Sequence, residues 1–300
     1  GSGLLTAEIE PISRNSLKFY DDAWAARLQL FRQWIGEGAD NPYGIIRKLE
    51  SRERRNELLV SDEGVTWRPH DFSGMGELLP NGVPALKGMT FRGEGAPVPQ
   101  YMDARNYNYI VDLLAVETFD CVVELGCGFG RNLFEIFLGT GNGNLPYLGG
   151  EIADSGLAAL EVLAELEPAA DIRGFKFDFL DPDFSILEPY DKILIFSVHA
   201  IEQVHRLPSD LIEKMAGLGG RVVGVHFEPV GFQFQPDLGS MTQEHQSHAV
   251  SRKWNVNFAE TLISAYRSGA IKEPFVVPEI CGNDDLLNPT SLAVWESAPR

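Results

Sequence analysis

A glycine-rich turn follows a short apolar run near the middle of the chain. Residues 122–130, with the sequence VVELGCGFG, read as a buried strand that ends in G-x-G-x-G before a helix. Glycine tolerates positive φ, which closes such a turn, and the missing side chains let a ligand approach the backbone. The free N–H groups of the following helix attract a carboxylate or phosphate. The pattern predicts a site for a nucleotide-like cofactor.

Three features separate this turn from a dinucleotide-binding loop. The pattern G-x-G-x-x-G needs glycine at position 131, where the chain has Arg131. Glu124 places a carboxylate two residues before the first glycine, where a pyrophosphate would be repelled. Glu151 lies about 20 residues downstream, after the next apolar run, where a carboxylate can accept both hydroxyls of a ribose. A dinucleotide-dependent oxidoreductase therefore stays an alternative that Arg131 disfavours.

With these residues the chain resembles the class I S-adenosylmethionine-dependent methyltransferases over about residues 104–297. The matching motifs are ELGCGFG at 124–130, YLGG before Glu151, and FDFL at 177–180. The resemblance implies a glycine loop beneath the methionine portion of S-adenosylmethionine, Glu151 on the ribose and Asp178 on the adenine amino group. It also implies that Ile152 packs on the adenine and that Phe179 donates a backbone amide. The predicted cofactor-binding residues are Glu124, Gly126, Cys127, Gly128, Gly130, Glu151, Ile152, Asp178 and Phe179, with S-adenosylhomocysteine as the product.

Polar residues are concentrated after the fourth and fifth predicted strands. The segment HAIEQVH at 199–205 follows the fourth strand, HFE at 226–228 ends the fifth, and His245 and His248 come later. Open α/β sheets bind ligands at the carboxyl ends of their strands, and histidine is the natural base near neutral pH. The predicted catalytic residues at the acceptor end are His199, Glu202, His226 and Glu228.

These residues support two mechanisms. In the first, His199 or His226 is a general base that Glu202 or Glu228 orients. In the second, a divalent metal orients a hydroxyl-bearing acceptor, with ligands drawn from His199, Glu202, His226, Glu228 and His245. The segment H-x-x-E at 199–202 is similar to the E-x-x-E-H segment of metal-dependent small-RNA 2′-O-methyltransferases. Because His199 replaces the first Glu and Gln203 replaces the His, no metal site is firmly predicted.

Alternating strand-like and helical runs from residue 119 onward predict an α/β fold, with a Rossmann-like, mostly parallel sheet, helices on both faces and a closing antiparallel strand pair. The predicted strands are 121–125, 145–149, 174–179, 192–197, 221–227, 271–280 and 290–296. The predicted helices are 104–116, a run ended by Gly139, 155–166, 209–218 with Ser209 as N-cap, and one around 254–265.

An N-terminal segment precedes this fold. Residues 1–3 look like the remnant of a tag, residues 4–103 are predicted to be a mainly helical unit, and residues 104–300 the cofactor-binding domain. Helices are expected at 15–36 and 44–59, and the Gly- and Pro-rich stretch 60–103 is expected to be irregular with one hairpin at most. The segment, with Tyr101 and Tyr107 near the junction, either closes the acceptor pocket, or covers the sheet or forms a homodimer interface.

The composition limits the partners. A formal net charge of −18 repels phosphate backbones, which argues against a nucleic-acid partner. Cys121, Cys127 and Cys281 lack metal-ligand spacing, and the first two are expected to be core residues. No signal peptide and no membrane-spanning apolar run is evident, which predicts a cytoplasmic protein. The resemblance implies methyl transfer by in-line displacement, and with these limits we expect the acceptor to be O or N of a small molecule, such as a natural product, sugar, amino acid or peptide.

Overall fold

The structure, a computed structural model, describes residues 14–61, 64–69, 86–91, 94–99, 107–235, 239–281 and 289–299. The helices are α1 (Arg14–Gly36), α2 (Pro42–Glu53), α3 (Tyr107–Val116), α4 (Arg131–Thr140), α5 (Asp154–Ala164), α6 (Leu211–Ala216), α7 (Ser240–Ser251) and α8 (Phe258–Arg267). The strands are β1 (Asn56–Ser61), β2 (Gly64–Pro69), β3 (Leu86–Phe91), β4 (Glu94–Pro99), β5 (Cys121–Leu125), β6 (Pro146–Glu151), β7 (Asp171–Lys176), β8 (Lys192–Val198), β9 (Arg221–Glu228), β10 (Phe275–Cys281) and β11 (Thr290–Glu296). Within these ranges, no helix is both long enough and apolar enough to cross a membrane.

A seven-stranded sheet forms the centre of the fold, in the order β10-β11-β9-β8-β5-β6-β7. The strands β7, β6, β5, β8 and β9 are parallel, and β11 runs antiparallel between β9 and β10. The strand order reverses at β5, because β6 and β7 lie on one side of it and β8 and β9 on the other. Ligands of open α/β sheets bind in the crevice beyond the carboxyl ends of the strands at such a reversal.

Helices cover both faces of the sheet, because alternate residues of the buried strands face opposite sides. Val122 of β5 and Leu194 of β8 pack with α1 to α5, whereas Val123 and Ile195 pack with α6 and α8. The predicted fold, including the closing antiparallel pair, is therefore confirmed.

The N-terminal helix α1 packs on α5 and on the residues that follow β5. Its apolar side chains recur at helical spacing, and Phe31 and Trp34 are buried in the same core as Phe129 and Phe134. The hairpin β1–β2 follows α2, and the hairpin β3–β4 lies near β10 and α7. The described part of residues 4–103 thus contains two helices and two hairpins.

Several predicted element boundaries were wrong. The helix expected at 44–59 ends at Glu53, and the stretch 60–103 contains one complete hairpin and most of another, where one hairpin at most was expected. Helix α4 continues past Gly139, which lies against α3, and it ends at Thr140 with Gly141 as its C-cap, whose φ is 61°. The N-cap of α6 is Asp210 and not Ser209, and α7 was not anticipated from the sequence.

The third strand of the cofactor domain was predicted three residues too late. Strand β7 spans Asp171–Lys176, whereas the prediction was 174–179. Phe177 and Phe179 lie beyond the strand and are buried, and their rings contact each other edge to face. The apolar run therefore reflects burial in the loop after the strand.

Candidate active site

The glycine loop after β5 requires glycine at each predicted position. Gly126, Gly128 and Gly130 have φ values of 76°, 56° and 79°, in the left-handed region that favours glycine. A Cβ at Gly126 would lie 2.3 Å from Cβ of Ala200, which follows β8. The N–H of Gly126 donates to the carbonyl of Gly150 at 2.8 Å, which fixes the loop to the end of β6.

Glu151, at the end of β6, is bound to this loop. Its Oε2 accepts the N–H of Gly128 at 2.8 Å, and its Oε1 accepts the N–H of Ala153 at 2.8 Å. Burial raises the pKa of Glu151 above its ordinary value, although these backbone donors oppose the shift. Each carboxylate oxygen has two lone pairs, so Glu151 retains acceptor capacity for a ligand.

Glu124, at the end of the neighbouring strand β5, holds an unsatisfied oxygen. Its Oε1 accepts from the side-chain amide of Asn132 at 2.6 Å, whereas Oε2 is buried and has no hydrogen-bond partner. Burial raises the pKa of Glu124 to about 8. An unpaired buried acceptor costs about 1–3 kcal/mol. A ligand bound at the glycine loop could donate a hydrogen bond to Oε2 of Glu124 and so remove this cost.

A pocket of about 680 Å³, open to solvent, lies beyond the carboxyl ends of β5, β6 and β8. One wall contains the predicted cofactor residues Gly126, Glu151, Ile152 and Phe179. The opposite wall comes from the segment after β8. The third is a face of α1 made by Leu17, Tyr20 and Trp24, which we call the roof.

Contacts at three points hold the roof over the pocket. Trp24 lies against the glycine loop, because a Cβ at Gly128 would be only 2.6 Å from Cζ2 of its indole. The Asp21 carboxylate accepts the N–H of Ser155 at 3.0 Å and so caps α5, whose own N-cap residue provides no side-chain bond. At the other end, the hydroxyl of Tyr20 donates to the side-chain carbonyl of Gln203.

His199 lines the pocket on the wall that follows β8, which is the end predicted to receive the acceptor, and its backbone is strained. Its φ of 50° is rare for a residue other than glycine, and such strain persists where the surroundings enforce it. Its Nε2 lies 2.7 Å from Oγ1 of Thr290, and its Nδ1 lies 3.5 Å from Oε1 of Glu202. Burial alone would lower the pKa of His199, but hydrogen bonding to Glu202 and the charges of Glu202 and Glu228 raise it.

Glu228, at the end of β9, fixes the backbone of the segment after β8. Its Oε1 accepts the N–H groups of Ala200 and Ile201, both at 3.1 Å, and its Oε2 accepts the N–H of Glu202 at 3.2 Å. The hydroxyl of Ser197 donates to the same carboxylate at 2.7 Å. Burial raises the pKa of Glu228 to about 7. Glu228 therefore orients the pocket wall through the backbone and not through an imidazole.

His226 does not line the pocket. Trp295 donates its Nε1–H to Nε2 of His226 at 2.9 Å, and Nδ1 lies 2.9 Å from the hydroxyl of Ser197. Because an indole N–H only donates, Nε2 is the acceptor and a neutral ring carries its proton on Nδ1. Burial lowers the pKa of His226 to about 3. Both ring nitrogens of His226 are therefore engaged in the core, away from the pocket in which the predicted base would act.

Asp178, Cys127 and His245 were also predicted as site residues, and each has its own surroundings in the structure. Asp178 accepts the N–H of Leu180 at 2.8 Å in a local turn and is not a pocket-lining residue. Cys127, like Cys121, is a buried core thiol, as expected. His245 is buried against Phe232. In the part of the chain that the structure describes, no three His, Cys, Asp or Glu residues form a group that could hold a metal ion. Tyr101 and the side chains of Tyr107 and Cys281 lie outside the described residues.

Sequence reasoning missed Tyr20, Trp24, Ser197 and Thr290. The first two belong to the apolar stripe of α1, a pattern that also describes an ordinary packing face. Nothing in the stripe distinguishes side chains that face a pocket from those that face the core. Thr290 lies about 90 residues from His199 in sequence, and only the pairing of β11 with β9 brings it close.

Comparison with known proteins identifies structural likenesses only. No protein-family model matches the chain, and no curated protein matches it. The structure is similar to the methyltransferase domain of bacterial CtHen1-C, with 16% identity, a TM-score of 0.43, and coverage of 65% of this chain and 98% of that one. It is similar to a geranyl diphosphate methyltransferase in complex with GPP and sinefungin, with 12% identity, a TM-score of 0.44, and coverage of 65% and 78%.

A third likeness is to the plantazolicin methyltransferase BpumL in complex with a triazolic desmethylPZN analog and SAH. Identity is 11%, the TM-score is 0.42, and coverage is 65% of this chain and 83% of that one. Values this low carry no information on the reaction or the acceptor. The strand order, with β11 inserted antiparallel between β9 and β10, is a mostly parallel, Rossmann-like sheet with a closing antiparallel pair. The fold class predicted from the sequence is therefore confirmed.

Proposed function

We propose that the protein is an S-adenosylmethionine-dependent methyltransferase that modifies an oxygen or nitrogen atom of a small molecule or short peptide. The observation that carries this proposal is the arrangement of two buried carboxylates around a left-handed glycine loop. Glu124 is the second-last residue of β5, Glu151 is the last residue of the adjacent strand β6, and Oε2 of Glu124 is buried without a hydrogen-bond partner.

The residues present fit this cofactor. Its ammonium group would satisfy Oε2 of Glu124, and its ribose hydroxyls would donate to Glu151, which retains free lone pairs. The apolar side chains of Ile152 and Phe179 suit a flat purine ring. A dinucleotide fits less well, because a pyrophosphate would approach two carboxylates and because Arg131 is already paired with Glu50 at 2.6 Å. When bound, S-adenosylmethionine supplies a methyl group that is already activated for displacement.

The chain must then position the acceptor and, where needed, take a proton from it. His199 is the predicted base that lines the pocket, whereas His226 is buried in the core. Glu202 orients the imidazole through Nδ1, and a raised pKa makes His199 a stronger base. Glu228 holds the backbone from Ala200 to Glu202, so the base keeps its place relative to the glycine loop.

A metal-assisted nucleotide or RNA 2′-O-methyltransferase gains no support from the site. Two of the five candidate ligands are engaged elsewhere, since Trp295 binds His226 and three backbone amides bind Glu228. The net charge of −18 opposes binding to RNA. Loss of activity with a chelator and its restoration by a divalent ion would favour this alternative.

The test is ligand-induced thermal stabilisation by S-adenosylhomocysteine. Ligand at about 100 times its dissociation constant adds about 2.7 kcal/mol. Unfolding entropy is about 2.1 cal/mol/K per residue, or about 0.6 kcal/mol/K for this chain, so Tm should rise by about 4 °C. The rise should disappear in Glu151→Ala. The matched control is Glu161→Ala, which alters an exposed glutamate of α5 and should leave the rise intact. No rise in the wild-type protein at saturating ligand would overturn the proposal.

A further inference from the structure

A chain of side-chain contacts connects the N-terminal helix to His199. The hydroxyl of Tyr20 donates to Oε1 of Gln203, and Nε2 of Gln203 donates to Oε1 of Glu202 at 2.9 Å. The same Oε1 atom of Glu202 lies 3.5 Å from Nδ1 of His199, and Nε2 of His199 lies 2.7 Å from the Thr290 hydroxyl. The chain therefore joins α1, the segment after β8 and the start of β11.

The donors and acceptors in this chain leave one consistent arrangement. A phenol that donates to Gln203 requires the amide oxygen to face α1, which turns the amide NH₂ toward Glu202. The carboxylate of Glu202 only accepts, so a neutral His199 that faces it carries its proton on Nδ1. Nε2 of His199 then holds the lone pair and accepts from Thr290. This is the nitrogen with which His199 would take a proton.

Tyr20 is not needed simply to hold α1 in place. Asp21 and Trp24 attach the same turn of the helix to Ser155 and to the glycine loop. Phe31 and Trp34 bury the following turns in the core. The Tyr20 hydroxyl instead faces the acceptor end of the pocket, where burial and the charges of Glu202 and Glu151 raise its pKa to about 12. The phenol therefore remains protonated and donating throughout the neutral range.

We propose that Tyr20 is a positioning residue that acts through Gln203 and Glu202 to hold His199 in the tautomer with its lone pair on Nε2. In this arrangement α1 completes the acceptor end of the active site. The inference rests on the proposed function for its purpose, since it presents His199 as the base of methyl transfer. The network itself can be tested without knowledge of the acceptor.

The experiment records long-range ¹H–¹⁵N spectra of the ¹⁵N-histidine-labelled protein at a pH where His199 is neutral. The His199 signals are assigned by their loss in His199→Asn. Free histidine side chains in water favour the Nε2–H tautomer, so a wild-type spectrum with the Nδ1–H pattern would show that the network imposes it. We expect Tyr20→Phe and Gln203→Met to bring back Nε2–H signals. Tyr266→Phe, which removes an exposed hydroxyl on α8, is the matched control and should keep the wild-type pattern.

Circular dichroism and Tm identify any variant that has not folded, and the two variants test the chain at different links. A wild-type pattern in both Tyr20→Phe and Gln203→Met would overturn the proposal. So would an equal change in Tyr266→Phe. S-adenosylhomocysteine binding is measured on the same samples. Failure to bind would remove the proposed function and leave the tautomer result intact, so the two ideas fail separately.

Discussion

The contact between Trp24 and the glycine loop makes a strong prediction about Gly128. An alanine there meets two costs that can be separated. The first is the left-handed backbone, with φ of 56°, which costs a residue with a Cβ about 1–2 kcal/mol. The second is the new methyl group, which would lie 2.6 Å from Cζ2 of Trp24. Overpacking of this kind costs about 1–3 kcal/mol.

Gly141 supplies a control that isolates the second cost. Its φ is 61°, and no atom lies within 4 Å of the position that a Cβ would occupy. We expect Gly141→Ala to lower the free energy of unfolding by about 1–2 kcal/mol and Gly128→Ala by about 2–5 kcal/mol. With an unfolding entropy of about 0.6 kcal/mol/K, the Tm decreases are about 2–3 °C and about 3–8 °C.

Calorimetry or chemical denaturation measures both variants, and a double-mutant cycle with Trp24→Leu tests the cause. In the Trp24→Leu background, Gly128→Ala should cost no more than Gly141→Ala does in the wild-type background. Equal costs for the two alanine variants in the wild-type background would refute the reasoning, because the indole would then not lie on the loop. An extra cost for Gly128→Ala that persists in Trp24→Leu would refute it as well.

Three further predictions follow from the same contacts. Ser155→Ala removes the hydroxyl that donates to the Asp21 backbone carbonyl at 2.6 Å, which costs about 1 kcal/mol. Amide hydrogen exchange in α1 should therefore accelerate about five-fold, and unchanged protection would contradict the anchoring role. The pKa of His226 in the folded protein, about 3, lies below the ordinary value of 6.5, so at intermediate pH the unfolded chain binds a proton that the folded chain does not. The free energy of unfolding, relative to His226→Gln, should therefore fall by about 1.4 kcal/mol per pH unit from 6.5 toward 3. Urea unfolding that gives the two proteins the same dependence of stability on pH would disprove this. Glu124→Gln removes a buried carboxyl group whose folded pKa, about 8, lies above the ordinary value of 4.5, so the variant should gain stability relative to wild type as pH increases from 4.5 to 8. Its calorimetric affinity for S-adenosylhomocysteine should fall about 10-fold or more, because the ammonium group loses an ionisable partner, and unchanged affinity would remove Glu124 from the cofactor site.

The glycine loop and the carboxylates beside it could be predicted from the sequence because their signals are local. A tight turn needs positive φ, positive φ needs glycine, and the spacing of Gly126, Gly128 and Gly130 therefore shows directly. A strand that is buried on both faces consists almost entirely of apolar residues, and β5 spans the predicted residues 121–125. The placement of Glu124 and Glu151 at the ends of adjacent strands follows from that pattern.

The predicted boundaries of helices and strands were wrong where an apolar run is buried outside the expected element. Phe177 and Phe179 pack beyond β7 and were read as part of it, since hydrophobicity reports burial and not backbone conformation. The strand β1 was read as the end of α2, because the run Leu58–Val60 is consistent with either structure. The hairpin partner that resolves the ambiguity is β2, which begins at Gly64.

Which of the predicted catalytic side chains faces the pocket depends on the tertiary structure. The sequence places His199, His226, Glu202 and Glu228 near the ends of β8 and β9, but it does not say which side chain faces the pocket. The partner of His226 is Trp295 of β11, and a partner of His199 is Thr290 of the same strand. Those contacts depend on how β11 pairs with β9, a long-range register that no local pattern encodes.

The sequence alone determined the glycine loop on which the proposed cofactor class depends, because backbone geometry there restricts residue type position by position. Only the tertiary structure shows that His199 lines the pocket while His226 is buried, and that α1 forms the roof of the pocket. A helix stripe with Tyr20 and Trp24 is equally suited to core or pocket, and the charge and protonation of a buried imidazole depend on distant groups that the fold brings into contact.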